Sequence, residues 1–345
     1  MNKARLLQVF SLCVIMAGTL LSACQPGPSL RGDDPKPSSG PAKTAVPAQG
    51  STAIPPSTPT SRPATPMTDG LIINEDPPRS SMFNINTTVY KLPGMDEVEV
   101  VNVTYAFHEE NPLAMDVYYP PGTPVQAKLP VVVFGLGYRM SKEPLRNAHF
   151  YTSWGKLVAA AGMVGVTYDT EQPDQDLETV LAFIQDNATA LRVDATQIGL
   201  MSSSANVPTV MSYLMQEKRE DIQFGVYYYG LSLTPDHKYT EEFGQVCEPR
   251  GCLVKELADV TYVDPELPLF VVKAGKDFIP NINEAMDHFL DYVRAAGAPV
   301  TVIDYEEGVH GFDTQQGTDE SAEIMAETIA FMKENFRSGR GAPDN

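Results

Sequence analysis

The chain has 345 residues, with 44 Asp and Glu against 25 Lys and Arg and a formal net charge of −19. That length suffices for one large core or two small ones. So acidic a balance excludes nucleic acid and an anionic lipid face as natural partners, and it favours solubility.

The opening stretch, MNKARLLQVFSLCVIMAGTLLSAC, sets Lys3 and Arg5 before an apolar run from Leu6 to Leu21. The run is shorter than the ~20 residues a membrane-spanning helix needs and ends in small residues, so residues 1–23 are expected to be a secretory signal peptide. Leu21-Ser22-Ala23-Cys24 looks like a bacterial lipobox, which implies a lipid-modified Cys24 and a stable membrane anchor; ordinary cleavage would leave Cys24 free. Gln25, not Asp, follows, so the expected site is the outer membrane of a Gram-negative cell, or otherwise the outer face of the plasma membrane. Residues 24–75 are rich in Pro, Ser, Thr, Gly and Ala and nearly devoid of large apolar side chains. Such a segment buries too little surface to offset its ordering entropy, and a disordered tether is expected there. Residues 338–345 read as a flexible tail.

Cys247 and Cys252 form a lone CEPRGC pair, and outside the cytoplasm two cysteines this close are expected to be bonded to each other. A zinc site would need further ligands, for which His237 and Asp236 are weak candidates; neither a metal nor an organic cofactor is expected.

Residues 76–337 alternate strand-like and helix-like runs. VEVVNVTYAF (98–107) and LAMDVYYP (113–120) suggest an antiparallel start. PVVVFG (130–135) is a β-branched run of the kind buried on both faces. A helix near 148–161, MVGVTYD (163–169), and a helix over 176–191 carrying Leu177, Val180, Leu181, Ile184 and Ala188 follow. Next come QIGLM (197–201), a helix from about 206, QFGVYYYG (223–230), LPLFVVKAG (267–275), a helix near 282–296, PVTVIDYEE (299–307) and a helix near 320–336. The pattern predicts an α/β fold: a doubly wound, mostly parallel sheet of about eight strands built from right-handed crossovers. Residues 231–262 interrupt the alternation and are expected to lie over the carboxyl ends of the strands, where such sheets bind ligands.

In this architecture a nucleophile belongs on a sharp turn between a strand and the next helix. QIGLM followed by SSSANVP is such a place, and small residues must flank the nucleophile at two before and two after. Ser204 meets that demand, with Ser202 before it and Asn206 after it; Ser203 would put Met201, and Ser202 would put Leu200, in the crowded position. Asn206 also suits a helix N-cap, with Pro208 in the first turn. Its side chain is expected to displace the helix start, to serve as such a cap or to contact substrate.

These segments resemble the α/β-hydrolases, particularly the dienelactone-hydrolase-like and esterase branches. RVDATQIGLMSSSANVP is similar to their strand and elbow, LPVVVFGLGYR to the oxyanion strand and loop, LFVVKAGKDFIP to the strand bearing the acid, and YEEGVHGF to the histidine loop. The resemblance implies Ser204 as nucleophile, Asp277 as acid and His310 as base, with oxyanion N–H groups from Ala205, Leu136 and Gly137. The usual G-x-S-x-G is here Ser202-Ser203-Ser204-Ala205-Asn206, and the His-Gly-Gly loop is Phe134-Gly135-Leu136-Gly137. Histidine, with an ordinary pKa near ~6.5, suits the task of taking a serine proton, and a carboxylate on its other nitrogen fixes its tautomer.

Taken singly, a serine-rich turn is a turn or helix cap, His310 a loop histidine and Asp277 a capping aspartate; their joint placement at three strand ends is what points to chemistry. His108, His149, His237 and His288 follow no comparable strand end, and Asp304 and Glu306 are weaker candidates for the acid. Gly135-x-Gly137 lacks the third glycine or the lysine of a phosphate loop, and Tyr227, Tyr228 and Tyr229 read as sheet packing. The expected function is hydrolysis of a small-molecule ester by a surface-anchored serine hydrolase. A weakly active or inactive hydrolase fold serving as a binding lipoprotein is the alternative, and a serine peptidase is a third reading.

Overall fold

Alternation of β-branched runs with amphipathic stretches produces a mixed α/β architecture, and the computed structural model describes residues 70–74, 87–136, 145–233 and 260–338. Cys24, Gly137, Cys247 and Cys252 lie outside the described residues, as do the expected leader, nearly all of the expected tether and most of the 231–262 insertion.

Nine strands form one sheet: β1 Ile72–Ile73, β2 Glu99–His108, β3 Asn111–Tyr119, β4 Leu129–Phe134, β5 Val164–Tyr168, β6 Val193–Ser203, β7 Ile222–Tyr228, β8 Leu269–Ala274 and β9 Val300–Tyr305. Their order is β1-β2-β3-β5-β4-β6-β7-β8-β9. The pairs β1–β2, β2–β3 and β3–β5 are antiparallel, and every pair from β5–β4 through β8–β9 is parallel. The helices are α1 His149–Ala160, α2 Pro173–Asp186, α3 Val207–Leu214, α4 Ile282–Ala295, α5 Phe312–Gln315 and α6 Asp319–Ser338.

The mostly parallel sheet expected with about eight strands has nine among the described residues, Ile72 and Ile73 adding one by pairing with Thr104 and Val103. They lie within the segment expected to be tether. The Asn74 side chain bonds the Thr104 hydroxyl and fixes that register, so the sheet begins before residue 76. The second helix begins at Pro173 and ends at Asp186, where 176–191 was expected. Proline's fixed φ suits a first turn, and the Asp176 carboxylate accepts the Glu171 and Gln172 N–H groups and the Thr170 hydroxyl there.

Every residue of β5 and β7, and Val131–Phe134 of β4, is buried, as continuous apolar runs in a covered parallel sheet should be. Leu177, Val180, Leu181 and Ile184 of α2 join the same core. β6 lies between β4 and β7 and outlasts the QIGLM run, with Ser202 opposite Tyr227 and Ser203 opposite Tyr228. Ser202 and Ser203 are therefore strand residues, and the chain first leaves the sheet at Ser204.

Candidate active site

Ser204 opens a single 3-10 turn, Ser204–Asn206, between β6 and α3, with φ of +55°. A non-glycine residue in the left-handed region is strained, and such strain concentrates where a side chain must be aimed. Neither flanking serine shares it. Of the three consecutive hydroxyls, that of Ser204 lies 2.8 Å from His310 Nε2, while the Ser202 hydroxyl donates to the Gly135 carbonyl at 3.0 Å.

The residues standing where glycines were expected are accommodated by their own hydrogen bonds. Ser202 ties the end of β6 to the end of β4. Asn206 is buried, and its amide donates to the Tyr151 hydroxyl at 2.8 Å and to the Ser203 carbonyl at 3.3 Å. It makes no side-chain cap bond to α3, so the N-cap expectation is not met. Glycine is instead required beside the elbow: a Cβ on Gly135 would lie 2.1 Å from Val210 Cγ2, and one on Gly230 would lie 2.7 Å from Val207 Cβ. The first turn of α3 packs directly on those two backbones.

His310 and Asp277 come from the loops after β9 and β8. His310 Nδ1 lies 2.6 Å from Asp277 Oδ2, and the other Asp277 oxygen accepts the Ile279 N–H at 2.9 Å. The two loops are stitched together, since the Gly275 N–H donates to the Tyr305 carbonyl and the Lys276 N–H to the Gly308 carbonyl. At Gly275 the strands approach so closely that a Cβ would sit 2.3 Å from the Glu306 carbonyl oxygen. The imidazole rests between two rings, Tyr229 at 4.7 Å and Phe278 at 5.2 Å between centroids. The Asp277 side chain is buried, whereas Phe278 is an exposed hydrophobic side chain.

One oxyanion expectation is corrected. The Leu136 N–H donates to the Tyr168 hydroxyl at 3.1 Å, because Tyr168 ends β5, which lies next to β4 in the sheet. Ala205 follows Ser204 within the 3-10 turn; the first N–H groups of a helix have no partner inside it. The weaker acid Asp304 pairs with Lys273 at 2.6 Å. His108 faces Glu171 and Asp176; His149 and His288 lie on α1 and α4.

Three residues that bond to the surroundings of the site were not singled out by the sequence: Tyr151, which holds Asn206, and Trp154 and Asp313, which hold each other. Tyr229 was read as packing, and it does pack, but it also lies against His310 and its hydroxyl donates to Asp313 Oδ1 at 2.7 Å. The available signal was an acidic residue three places after the histidine, in HGFD, together with the single tryptophan of the chain.

No family model matches the sequence, and neither does any curated protein. Solved structures do. Esterase 2 of Thermogutta terrifontis in its propionate-bound form superposes with a TM-score of 0.54 at 17% identity, over 73% of this chain and 98% of that one. The same esterase phosphoramylated by tabun gives 0.53 at 18% identity over the same shares. Brefeldin A esterase, described as a bacterial homologue of human hormone sensitive lipase, gives 0.55 at 17% identity, over 72% of this chain and 82% of that one. The fold is that of the α/β-hydrolases. The turn at Ser204 lies between β6 and α3, and the loops after β8 and β9 bring Asp277 and His310 to it.

Proposed function

We propose that this protein is a serine hydrolase that cleaves carboxylic esters through an acyl-Ser204 intermediate. The observation that carries the reading is the continuous hydrogen-bonded chain from Ser204 Oγ through His310 to Asp277, 2.8 and 2.6 Å long at its two links, with Ser204 in a strained backbone conformation. The esterase neighbours support the ester class.

In the proposed reaction His310 Nε2 takes the Ser204 proton as Oγ bonds to the ester carbonyl carbon and the carbonyl electron pair moves onto oxygen. Asp277 keeps the Nδ1–H tautomer and stabilises the imidazolium. The imidazolium returns the proton to the departing alkoxide. A water molecule then gives its proton to His310 and attacks the acyl carbon, releasing the carboxylic acid and regenerating Ser204. The N–H of Ala205 faces the oxyanion; a donor of this kind is worth roughly 3 kcal/mol.

The test is hydrolysis of 4-nitrophenyl esters of graded acyl length by the purified domain and its Ser204→Ala variant. Turnover that survives in the variant would assign the chemistry to another nucleophile, and a wild type inert toward the whole series would leave the binding-lipoprotein alternative.

The proposed site of action is outside the cytoplasm, on a lipid carried by Cys24, motivated by the Leu21–Cys24 tetrad. Cys24→Ser should release the protein from membranes, and a variant that still sediments with them refutes the anchor. A Cys247–Cys252 bond is proposed for the insertion, worth roughly 2 kcal/mol for so short a loop. Two reactive thiols in the denatured, non-reduced domain would exclude it.

A further inference from the structure

Asp313 stands in the first turn of α5, three residues after His310, and is completely buried. Its Oδ2 accepts the Trp154 indole N–H and its Oδ1 the Tyr229 hydroxyl, both at 2.7 Å, while its backbone carbonyl accepts the Val89 N–H. Both side-chain donors are neutral. Among the described residues, the positive group that acts on this carboxylate is His310. Burial pushes the Asp313 carboxyl up to about 6, against the pull of the Tyr229 and Trp154 hydrogen bonds and of the His310 charge.

A buried carboxylate without a permanent cation is expensive to keep ionised. Here the matching cation is transient. In the proposed reaction His310 becomes an imidazolium during each of the two attack steps and is neutral between them. A fixed negative charge in a low-dielectric setting then favours the transition states over the resting enzyme, which is the condition for accelerating a reaction. Tyr229 joins the two groups, since its ring lies 4.7 Å from the imidazole and its hydroxyl holds the carboxylate.

We infer that Asp313 and Tyr229 form a positioning pair for His310: a second, buried acid, besides Asp277, that stabilises the imidazolium through space, and a ring that seats the imidazole. The inference rests on the serine-hydrolase reading. The other titratable groups around Asp313 are Tyr228 at the end of β7, Tyr229 just after it and Tyr151 on α1, each held protonated chiefly by burial, while Glu327 of α6 acts on Tyr228. Asp277 holds the opposite side of His310.

The test is the second-order rate of labelling by a fluorophosphonate probe as a function of pH. The reaction needs the same base: a P–O bond to Ser204 forms, the P–F bond breaks and the serine proton goes to His310. In Asp313→Asn the protonated imidazole loses its stabilising charge, so the acid limb moves to lower pH and the plateau rate falls about ten-fold. Tyr229→Phe removes a donor that favours the ionised carboxylate, so less of Asp313 is charged at the limb and the limb moves the same way by a smaller amount. Displacement of both limbs to lower pH, larger in Asp313→Asn, supports the pair. Limbs that coincide with wild type, or move to higher pH, overturn it and leave Asp313 a structural residue. If Asp313→Asn does not fold, Tyr229→Phe decides alone, a downward displacement supporting the pair and coincidence or an upward one overturning it. A wild type that is not labelled at all overturns the serine-hydrolase reading, and this inference with it.

Discussion

The elbow and the histidine turn meet at one hydrogen bond yet solve opposite problems. At the elbow the demand is steric. Ser202 and Asn206 stand where small hydrogens were expected, and space is restored by neighbours, Gly135 under Val210 and Gly230 under Val207. The polar atoms of Ser202 and Asn206 are then spent on Gly135, Tyr151 and the Ser203 carbonyl. At the histidine turn the familiar residues are present, and the demand is electrostatic: one carboxylate holds the ring nitrogen while another is buried close by with no resident cation among the described residues. A sequence pattern can therefore look broken where the geometry is intact, and look ordinary where unusual chemistry is stored.

The sharpest way to break the comparison lies on the electrostatic side. Asp277→Asn leaves the shape but presents the wrong partner to His310 Nδ1, so turnover of a 4-nitrophenyl ester should fall by about 10⁴-fold with little change in KM. A loss of less than about ten-fold would show that Asp277 does not fix the tautomer.

On the steric side, Gly230→Ala puts a methyl group against Val207, whose Cβ would lie 2.7 Å away and cannot rotate clear. Overpacking of this kind costs about 1–3 kcal/mol, and denaturant unfolding should show it together with slower probe labelling as α3 is pushed from the elbow. Unchanged stability would mean that α3 does not press on that backbone.

The two regions also differ in their pH dependence. Asp313 ionises at about 6 when folded, above its ordinary 3.8. A folded-state pKa raised in this way means that the native protein holds the proton more tightly than the unfolded chain does. The ionised group therefore lowers stability above pH 6, and the penalty is lifted as pH falls from 6 toward 3.8. At neutral pH it is on the order of 3 kcal/mol. The stability difference between Asp313→Asn and wild type should accordingly favour the variant most near neutrality and shrink on acidification through this window. A difference independent of pH would remove the buried charge from the account.

The smallest expected effect returns to the elbow. Asn206→Gly gives up the hydrogen bond to Tyr151 and should lower stability by about 1 kcal/mol without raising turnover. A rise in turnover at unchanged stability would mean that the Asn206 side chain strains the elbow after all.

The strand–helix alternation, the antiparallel start and the three strand-end residues were legible because each rests on local signals: β-branched runs, helical stripes, and a polar group just beyond a strand. Ser204 could be told from Ser202 and Ser203 by the bulk of Leu200 and Met201 alone. Other features were not legible because they depend on neighbours distant in sequence. Leu136 meets Tyr168, Asn206 meets Tyr151, and Trp154 meets Asp313 across 159 positions. Ile72 and Ile73 were hidden by a Pro-rich context, and only pairing with β2 makes them a strand.

The central claim is that His310 and Asp277 aim one serine out of three. Labelling the purified wild-type domain with a fluorophosphonate and mapping the modified peptide by mass spectrometry tests it most directly. The account requires a single adduct on Ser204, lost in Ser204→Ala and retained in Ser202→Ala and Ser203→Ala. An adduct on Ser202 or Ser203, or none on the folded protein, would contradict it.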